Sequence, residues 1–438
     1  MKVALISTYE MGRQPFGLAS PAAWLRRRGH AVLCVDTSRQ GFPLEAVAEA
    51  GLIAFHLPMH TATRLALPLI RKIHDARPEA HICCYGLYAP MNESFLRSQG
   101  VRTILGGEFE QSLSNVADGL SAPARSLDRL HFITPDRSQL PSLASYATLQ
   151  LGGASKRVGY TEASRGCKHL CRHCPVVPVY NGAFRIVQRD VVLADIRQQV
   201  AAGAEHITFG DPDFFNGPGH AIAIVSALHD EFPGLTYDVT IKIEHLLKHR
   251  DRLACLRATG CQFVVSAVES LDDEVLRRLD KGHTRADFLE AVGLMRNAGL
   301  TLAPTFITFT PWTTWRGYRH LLETLVELDL VENVPPIQLA MRLLVPAGSR
   351  LLDLAEVREI VGAFDPSALA YPWRHEDPSL DRLCADIQSI MQREERGKAT
   401  RSAMFEKIWK MAHDRALPVD FHLAARATIP YLNEPWYC

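Results

Sequence analysis

The sequence predicts an α/β protein in which a Rossmann-like domain precedes a partial (β/α)6 barrel and a mostly helical C-terminal segment. Two series of short apolar runs alternate with amphipathic stretches, one on each side of a polar segment, and a helical pattern follows them. Such alternation is typical of parallel sheets covered by helices. We place the four segments at residues 1–125, 126–156, 157–350 and 351–438.

Length and composition limit the class of protein. A chain of 438 residues exceeds one ordinary core, so two or three globular units are expected. Its 48 basic side chains balance its 48 acidic ones, which leaves no field to attract nucleic acid or an anionic membrane. The first residues lack the pattern of a secretory signal, and no run approaches about 18 uncharged apolar residues. We therefore expect a cytoplasmic protein without nucleic-acid or membrane partners.

The N-terminal domain is predicted from seven short segments in the first 115 residues. Strand-like and helix-like patterns alternate in them, as in an open parallel sheet with covering helices. The segments are KVALIST, PAAWLRRRG, HAVLCVDTS, LIAFHLP, LALPLIRKIHDA, HICCYGL and TILGGEFE. The stretch that follows, up to residue 156, is richer in Ser, Pro, Asp and Gly, which is typical of a linker.

Six predicted strands, each followed by a loop and a helical pattern, indicate the partial barrel. The strands are VGYTEAS, HITFGDP, TYDVTIKI, QFVVSAVE, TLAPTFITFT and PIQLAMRLL. Active sites of such barrels lie at the carboxyl ends of the strands, where the loops gather. Side chains at those ends are therefore the first candidates for function.

Three cysteines directly follow the first barrel strand. Cys167, Cys171 and Cys174 have the spacing C-x3-C-x2-C. A [4Fe–4S] cube normally takes four thiolates, so three neighbouring cysteines leave one iron open to a substrate. Zinc is the alternative, because His169 or His173 would complete a Cys3His tetrahedron. Structural zinc usually takes ligands from two separated knuckles, whereas this cluster is one loop, so the iron–sulfur interpretation is favoured.

With this motif, the chain resembles the radical S-adenosylmethionine (radical SAM) family, whose hallmark is C-x3-C-x2-C after the first strand of a partial barrel. The resemblance implies that the amino and carboxylate groups of SAM bind the open iron and that one electron then cleaves a sulfonium C–S bond. It also implies an electron donor such as flavodoxin or ferredoxin. His173 stands where the family usually has an aromatic residue.

The next two strand ends extend the resemblance. Gly210, Asp211 and Asp213 take the place of the family's Gly-Gly-Glu segment, which meets the SAM amino group. Two carboxylates suit an ammonium, and the alternative is an Asp-Pro turn that opens the next helix. Lys242 and Glu244 share one face of the third strand. They are candidates for the methionine carboxylate and the ribose, with a surface ion pair as the alternative.

The fourth strand runs into SAVESLDDEVLRRLDKGHT, which is similar to a run in cobalamin-associated radical SAM enzymes. This similarity makes Glu269 the candidate catalytic and ribose-binding residue. In the same run Asp272 is interpreted as a helix cap and Lys281 as a solvated charge. Arg342, on the sixth strand, is the candidate for a bidentate carboxylate clamp, with an outer-surface arginine as the alternative.

The N-terminal domain resembles the cobalamin-binding domain of the same superfamily. Gly106, Gly107 and Glu108 are similar to the last strand and Gly-rich turn that approach the corrin tail there. The D-x-H-x-x-G motif, which supplies a histidine to cobalt, is absent from the sequence. His56 and His60 are interpreted as hydrogen-bonded side chains. Cobalamin therefore stays open as a further cofactor.

The chain ends at EPWYC, with Cys438 as its last residue. Together with CKHLCRHCPVVPVY and YPWRHEDPSLDRL, this tail resembles a radical SAM group named for a terminal Cys-Sec-Ala-Glu-Pro or Cys-Cys-Ala-Glu-Pro sequence. One hypothesis is a selenocysteine codon read as a stop; a frayed chain end is the alternative. Thiols suit a thiophilic element such as arsenic(III). Cys384 is either a second such thiol or a buried small hydrophobe.

The resemblance implies a radical SAM transferase that moves the 3-amino-3-carboxypropyl group of SAM to a soft acceptor. Arsenic(III), as in arsinothricin biosynthesis, is the leading candidate, with Cys438 as the catalytic thiol. Cobalamin-dependent methylation and hydrogen abstraction by the 5′-deoxyadenosyl radical are the alternatives within the class. Outside it, the alternative is a non-enzymatic cobalamin or redox sensor with a structural metal site.

Overall fold

The computed structural model describes residues 1–151, 153–395, 400–417 and 431–432. It contains an N-terminal α/β unit, a curled half-barrel sheet and a helical C-terminal region, so the predicted fold class is confirmed. In the part of the chain that the structure describes, no helix combines the length and the apolar character that a bilayer span requires.

The N-terminal unit is a parallel sheet with helices on both faces. Its strands are β1 (Lys2–Ser7), β2 (Ala31–Asp36), β3 (Leu52–His56), β4 (Ile82–Tyr85), β5 (Thr103–Gly107) and β6 (Arg125–Ser126). Its helices are α1 (Phe16–Arg27), α2 (Leu44–Ala48), α3 (His60–Ala76), α4 (Tyr88–Met91), α5 (Glu93–Ser98) and α6 (Phe109–Ala117). The order is β2-β1-β3-β4-β5-β6, and β3 and β4 are buried along their whole length because an apolar cluster covers each face.

The second sheet forms the half-barrel. Its strands, with a small hairpin of β9 and β10, are β7 (Thr148–Leu151), β8 (Ala154–Thr161), β9 (Ser164–Gly166), β10 (Phe184–Ile186), β11 (His206–Phe209), β12 (Thr236–Thr240), β13 (Cys261–Glu269), β14 (Thr301–Phe306) and β15 (Tyr431–Leu432). The order is β14-β13-β12-β11-β8-β7-β15. The first five are parallel neighbours, whereas β7 pairs antiparallel with both β8 and β15. The carboxyl ends of the parallel strands therefore meet at one edge.

Helices cover the outer face of the half-barrel and continue into the C-terminal region. They are α7 (Val177–Tyr180), α8 (Arg189–Ala201), α9 (Pro218–Glu231), α10 (Ile243–Lys248), α11 (Leu253–Ala258), α12 (Asp273–Leu279), α13 (Arg285–Asn297), α14 (Trp315–Glu327), α15 (Ala355–Ile360), α16 (Pro378–Glu395) and α17 (Arg401–His413). One large apolar cluster joins the strands to these helices. Side-chain caps fix several helix starts: Thr284 and Asp287 form a capping box on α13, and Thr314 caps α14.

The sixth predicted strand differs from the expectation. Its first part is a 3-10 helix over Pro336–Ala340, and one isolated bridge at Arg342 continues the sheet. Pro335 and the proline after it have no N–H to donate to a strand ladder. Instead, the Gln338 side-chain oxygen accepts a hydrogen bond from the Phe306 N–H at 3.0 Å. The half-barrel is therefore open beside β14.

The Gly-rich turn after β5 is closed by the chain itself. Gly107 has a φ of +74°, and a Cβ there would lie 2.0 Å from the Ser126 carbonyl oxygen. A Cβ on Gly106 would lie 2.6 Å from the Pro90 side chain. Both glycines are therefore required by close packing against neighbouring segments.

We expect Gly107→Ala to destabilise the fold by a clash as well as by backbone strain. Gly119 has a similar φ of +78° but open space around it, so Gly119→Ala is a matched control for strain alone. Gly119→Ala should lower the free energy of unfolding by about 1 kcal/mol, and Gly107→Ala by about 1–3 kcal/mol more. Urea unfolding measures both. Equal losses would contradict the clash.

Candidate active site

The three motif cysteines lie in the loop between β9 and α7, which we call the cysteine loop (residues 167–174). Cys171 is buried, Cys167 and Cys174 are half-buried, and all three are free of disulfides. Burial raises the pKa of the Cys167 thiol, and it raises the pKa of Cys174 to about 12. Buried thiols of this kind need a metal cation to stay deprotonated. The loop therefore suits a metal group better than a free nucleophile.

The spacing of the thiols distinguishes a cluster from a single zinc ion. Within the described residues, one set of three ligand atoms lies within 4.8 Å of one another, and it consists of Cys167, His169 and Asp213. The three cysteine sulfurs do not form such a set among these residues. Sulfurs on one tetrahedral zinc lie about 3.8 Å apart, so the wider spacing fits the corners of an iron–sulfur cube.

Gly210 and Asp211, after β11, hold the strand that leads into the cysteine loop. The Asp211 carboxylate accepts hydrogen bonds from the Ala163 N–H at 2.9 Å and the Ser164 hydroxyl at 2.5 Å. Burial raises the pKa of Asp211 to about 7. The Tyr160 hydroxyl covers Gly210, where a Cβ would lie 1.8 Å from it. The structure thus places both residues as supports of the loop.

Asp213 caps a turn and also faces two histidines. One carboxylate oxygen accepts from the Phe215 N–H at 3.1 Å and caps a 3-10 turn. The other oxygen lies 3.6 Å from His169 Nε2 and 2.7 Å from His245 Nδ1. The contact with His245 does not have the angles of a hydrogen bond. Burial would raise the pKa of Asp213, but the two imidazoles outweigh burial and lower it. Asp213 is therefore a buried, ionised carboxylate beside the cysteine loop.

Lys242 and Glu244 form an ion pair, which was the alternative interpretation, and they reach the cysteine loop. Lys242 Nζ donates to Glu244 Oε2 at 3.3 Å and to His169 Nδ1 at 2.9 Å. The Glu244 side chain is 41% exposed, whereas that of Lys242 is 8% exposed. Lys242 is therefore a buried ammonium group close to the first motif cysteine.

Glu269 lies at the end of β13 and binds the cysteine loop. Its Oε1 is 3.0 Å from His173 Nε2 and accepts a hydrogen bond from Lys281 Nζ at 3.3 Å. Burial would raise the pKa of Glu269, but Lys281 and His173 outweigh it and lower the pKa to about 2. Its φ of +69° is strained for a residue with a side chain. The carboxylate is therefore charged and held in one place.

Two neighbouring interpretations have different outcomes. Asp272 caps α12, since its carboxylate accepts from the Glu274 N–H at 2.9 Å, as predicted. The interpretation of Lys281 as a solvated charge is wrong, because its side chain is 4% exposed and faces Glu269. The sequence around a lysine at a helix end does not distinguish a lysine that faces solvent from one that faces a buried carboxylate.

Arg342 is engaged away from the cysteine loop. Its guanidinium donates to Asp381 Oδ1 of α16 at 2.6 Å and to the Trp373 carbonyl at 2.7 Å, and it stacks on the Trp373 ring. The carboxylate that Arg342 binds is therefore that of Asp381, in its own chain.

Of the two thiols considered for a soft acceptor, the structure describes Cys384. Cys384 is buried in α16, where burial raises its pKa to about 11 and its Sγ contacts the Ala340 carbonyl oxygen at 3.6 Å. Cys438 lies outside the described residues. The structure therefore gives Cys384 the surroundings of a small core residue.

Sequence reasoning considered His169 and His173 only as alternative zinc ligands, and it missed His245 and His283. Five buried polar atoms near the cysteine loop have no hydrogen-bond partner among the described residues: His169 Nε2, His173 Nδ1, His245 Nδ1, His283 Nδ1 and Asp213 Oδ2. Unpaired buried atoms of this kind mark places where a ligand completes the hydrogen bonding. The sequence signal was the run of histidines at the motif and strand ends, which composition alone does not assign.

Arg165, in β9, joins the N-terminal domain to the cysteine loop. Its guanidinium donates to Glu110 at 2.6 and 2.9 Å and to Glu162 at 2.6 Å. Glu108 lies 3.4 Å away and accepts a hydrogen bond from the Tyr180 hydroxyl at 2.9 Å. Burial raises the pKa of Glu108 to about 7. One guanidinium thus faces three buried or half-buried carboxylates.

Residues 161–325 match the family described as the radical SAM superfamily. Hopanoid C-3 methylase of Methylococcus capsulatus is 23% identical over 346 residues, which cover 73% of this chain and 66% of the methylase. A tRNA-2-methylthio-N(6)-dimethylallyladenosine synthase of Chlorobium luteolum is 26% identical over 226 residues, or 49% of this chain and 48% of the synthase. The chain thus spans about half to two thirds of the length of these curated relatives.

Two solved structures share the fold. The cobalamin-dependent S-adenosylmethionine radical enzyme OxsB, with aqua-cobalamin and S-adenosylmethionine bound, has a TM-score of 0.68 at 14% identity, covering 90% of this chain and 67% of OxsB. The methyltransferase TsrM of Kitasatospora setae, with cobalamin and a [4Fe–4S] cluster bound, has a TM-score of 0.58 at 16% identity, covering 75% and 73%. These similarities cover both the N-terminal unit and the half-barrel.

Residues 161–325 therefore form a radical SAM domain, and a domain of this kind uses a [4Fe–4S] cluster and SAM. The residues present fit both groups. Three soft thiols are spaced too widely for one ion, and the unpaired buried atoms around them include nitrogen and carboxylate oxygen. SAM carries an ammonium, a carboxylate and hydroxyls that match such atoms.

A corrinoid does not fit the described residues in this arrangement. In the Gly-rich turn that would approach the corrin tail, Gly106 packs against Pro90 and Gly107 packs against Ser126. His56 Nδ1 lies 2.7 Å from Glu10, and His60 Nε2 contacts the Ala368 carbonyl at 2.5 Å, as expected for hydrogen-bonded side chains. The cavity between the two domains has a volume of about 280 Å³, below the roughly 300–1,000 Å³ of cavities for drug-sized ligands. We derive no step through cobalamin.

Replacing any motif cysteine by alanine is expected to abolish cluster assembly. After anaerobic reconstitution, the unchanged protein should hold about four irons per chain, and Cys167→Ala, Cys171→Ala and Cys174→Ala close to none. Cys255→Ala is the control, because that half-buried thiol lies outside the loop. Iron and sulfide analysis with visible absorption measures the result. A colourless protein with one zinc per chain would contradict it.

Glu108→Gln is expected to stabilise the protein at pH 8 but not at pH 5. The folded-state pKa of about 7 lies above the ordinary value of 4.5, so the wild type loses stability as the pH rises between these values. Glutamine keeps the acceptor for Tyr180 without the charge. We expect a gain on the order of 2–3 kcal/mol at pH 8.

Urea unfolding at both pH values measures this gain. The exposed Glu359→Gln is the control for loss of one carboxylate, and it should behave alike at both. A difference between Glu108→Gln and wild type that does not change with pH would contradict the burial argument.

Proposed function

We propose that this enzyme cleaves SAM and transfers a SAM-derived carbon group to an acceptor at the open edge of the half-barrel. One observation carries the proposal: His173 of the cysteine loop and Lys281 both bind Glu269 at the end of β13. A ligand that bridges the loop and this strand therefore lies between three thiols and a fixed carboxylate. SAM, with a sulfonium amino acid and a ribose, has the groups for both ends.

The residues take separate tasks in this proposal. Cys167, Cys171 and Cys174 hold the [4Fe–4S] cluster, which supplies one electron to SAM when both are bound. Asp213 keeps its charge beside the loop and attracts the SAM ammonium, and Lys242 attracts the carboxylate. Glu269 accepts hydrogen bonds from the ribose hydroxyls. All of these groups are in place before the ligand binds, which limits reorganisation during the reaction.

A separate cavity next to Glu269 supports the position of the acceptor. It has a volume of about 1,050 Å³ and is lined by residues that follow β13 and β14 and by the first turns of α14. Its wall includes Arg285, Trp315, Arg316 and His320. Arg285 Nε is buried without a hydrogen-bond partner in the described part of the chain. These residues suit a polar acceptor with negative or oxygen-rich groups.

Arsenic(III) is the acceptor that we propose, with the 3-amino-3-carboxypropyl group as the cargo. The support is the resemblance of the tail that ends in Cys438 and the affinity of thiolates for arsenic. Over the whole reaction, the C–S bond to this group breaks and its electron pair leaves with sulfur as methylthioadenosine. The lone pair of arsenic forms the new C–As bond, so arsenic is oxidised from the trivalent to the pentavalent state. These two changes balance, so the one electron that the cluster would supply to start the cleavage is returned when the product forms, and no reductant is consumed overall.

Methyl transfer is the second candidate. Its support is the name of the relative hopanoid C-3 methylase, which shares 23% of its residues with this chain over 346 positions. In that case the C–S bond to the methyl group breaks, and S-adenosylhomocysteine leaves. The nucleoside product therefore identifies the bond that the enzyme cleaves.

The test is a product assay on the reconstituted enzyme without oxygen, with SAM, dithionite and arsenite. We expect methylthioadenosine in amounts that depend on arsenite, together with an arsenic species that carries the 3-amino-3-carboxypropyl group. Liquid chromatography with arsenic detection measures both. Cys438→Ser should keep the cluster but lose at least about 90% of the arsenic product if the tail thiol binds arsenic.

A control variant and two alternative products sharpen the assay. Cys384→Ser is the matched control for a thiol, because Cys384 is buried and bonded to a backbone carbonyl. S-Adenosylhomocysteine as the nucleoside product would overturn the cargo in favour of methyl transfer. 5′-Deoxyadenosine alone would overturn carbon-group transfer altogether.

A further inference from the structure

A cavity of about 280 Å³ lies between the N-terminal domain and the half-barrel, apart from the acceptor cavity. It is at the carboxyl edge of the N-terminal sheet, between the loops after β1 and β3. In open parallel sheets ligands bind where the strand order reverses, and the order β2-β1-β3 reverses at this point. Residues of β8 and β9 close the other side. The topology therefore marks a binding site.

Arg13 offers this cavity an unpaired positive charge. Its guanidinium lies over the Tyr160 ring, 5.1 Å from the ring centre. Its Nε is buried, and it forms neither a side-chain hydrogen bond nor an ion pair with any residue that the structure describes. A guanidinium prefers the two oxygens of a carboxylate. Arg13 therefore suits the anionic group of a ligand.

Two carboxylates, those of Glu10 and Glu162, also line the cavity. Glu10 Oε1 lies 2.7 Å from His56 Nδ1, and Glu162 Oε2 accepts from Arg165 Nε at 2.6 Å. The second oxygen of each makes no hydrogen bond with the described residues. Arg165 is shared with two further carboxylates, so it does not neutralise Glu162 alone. These two carboxylates attract an ammonium group.

The rest of the lining is apolar, and the space is small. Phe16, Met59, Leu87 and Phe109 contribute to the wall. The volume lies just under the range of about 300–1,000 Å³ for cavities of drug-sized ligands. The ligand therefore carries one negative group, one positive group and a short apolar body.

We propose that the interdomain cavity binds a small α-amino acid with an apolar side chain. Its carboxylate pairs with Arg13, its ammonium lies between Glu10 and Glu162, and its side chain packs on Phe16 and Phe109. Arg165 and Glu162 belong to the segment that enters the cysteine loop, so occupancy of the cavity acts on the position of the loop. The site is independent of the acceptor in the radical reaction.

The test is calorimetric titration of the cluster-loaded protein with saturating SAM and no reductant, so that the SAM site is filled. L-Leucine is the first probe, and 4-methylpentanoate and 3-methylbutylamine lack its ammonium and its carboxylate respectively. We expect L-leucine to bind and each partial analogue to bind at least about tenfold more weakly. Arg13→Gln should weaken L-leucine by about tenfold or more.

Arg71→Gln is the matched control, because Arg71 is exposed on α3 and donates to Gln99 on the surface. It should bind L-leucine as the unchanged protein does. Three results would overturn the proposal: no binding of L-leucine, equal binding of either analogue, or a normal affinity in Arg13→Gln. Aquacobalamin that binds one to one and displaces L-leucine would also overturn it.

Discussion

The ion cluster of Arg165 is the interaction on which the site depends. A single guanidinium, 8% exposed, holds Glu108 and Glu110 of the N-terminal domain and Glu162 of the half-barrel. Charges taken out of water are tolerated when they are paired and hydrogen-bonded. Since Arg165 directly precedes the cysteine loop, this pairing sets the loop against the first domain. One side chain therefore contacts both domains next to the cysteine loop.

The opposite side of the cysteine loop is fixed by a second set of charges. Asp213 and Glu269 are buried carboxylates with lowered pKa values, and Lys242 and Lys281 are buried ammonium groups near them. Each opposite charge offsets the cost of removing the other from water. The loop thus lies between two polar surfaces, and the strained backbone of Glu269 is compatible with a function in ligand binding.

The fold followed from local patterns, because parallel strands and covering helices have distinct periodicities. The motif cysteines could be predicted as a site because all three lie within eight residues of sequence. Asp272 could be predicted as a helix cap because it directly precedes a helix. Arg342 and Lys281 could not be assigned in this way, because their partners lie elsewhere in the chain or across a turn. The prediction of a sixth strand was wrong for a local reason, since Pro335 and Pro336 have no backbone N–H to donate to a strand ladder.

The pairing of β15 with β7 has a consequence for the integrity of the sheet. Strand β7 ends the half-barrel on one side, and its outer backbone groups are covered by Tyr431–Leu432 from the far end of the chain. An uncovered strand at such a position is a template for pairing with a second molecule. Proteolytic loss of the last residues would therefore expose a self-association surface while the metal ligands remained intact.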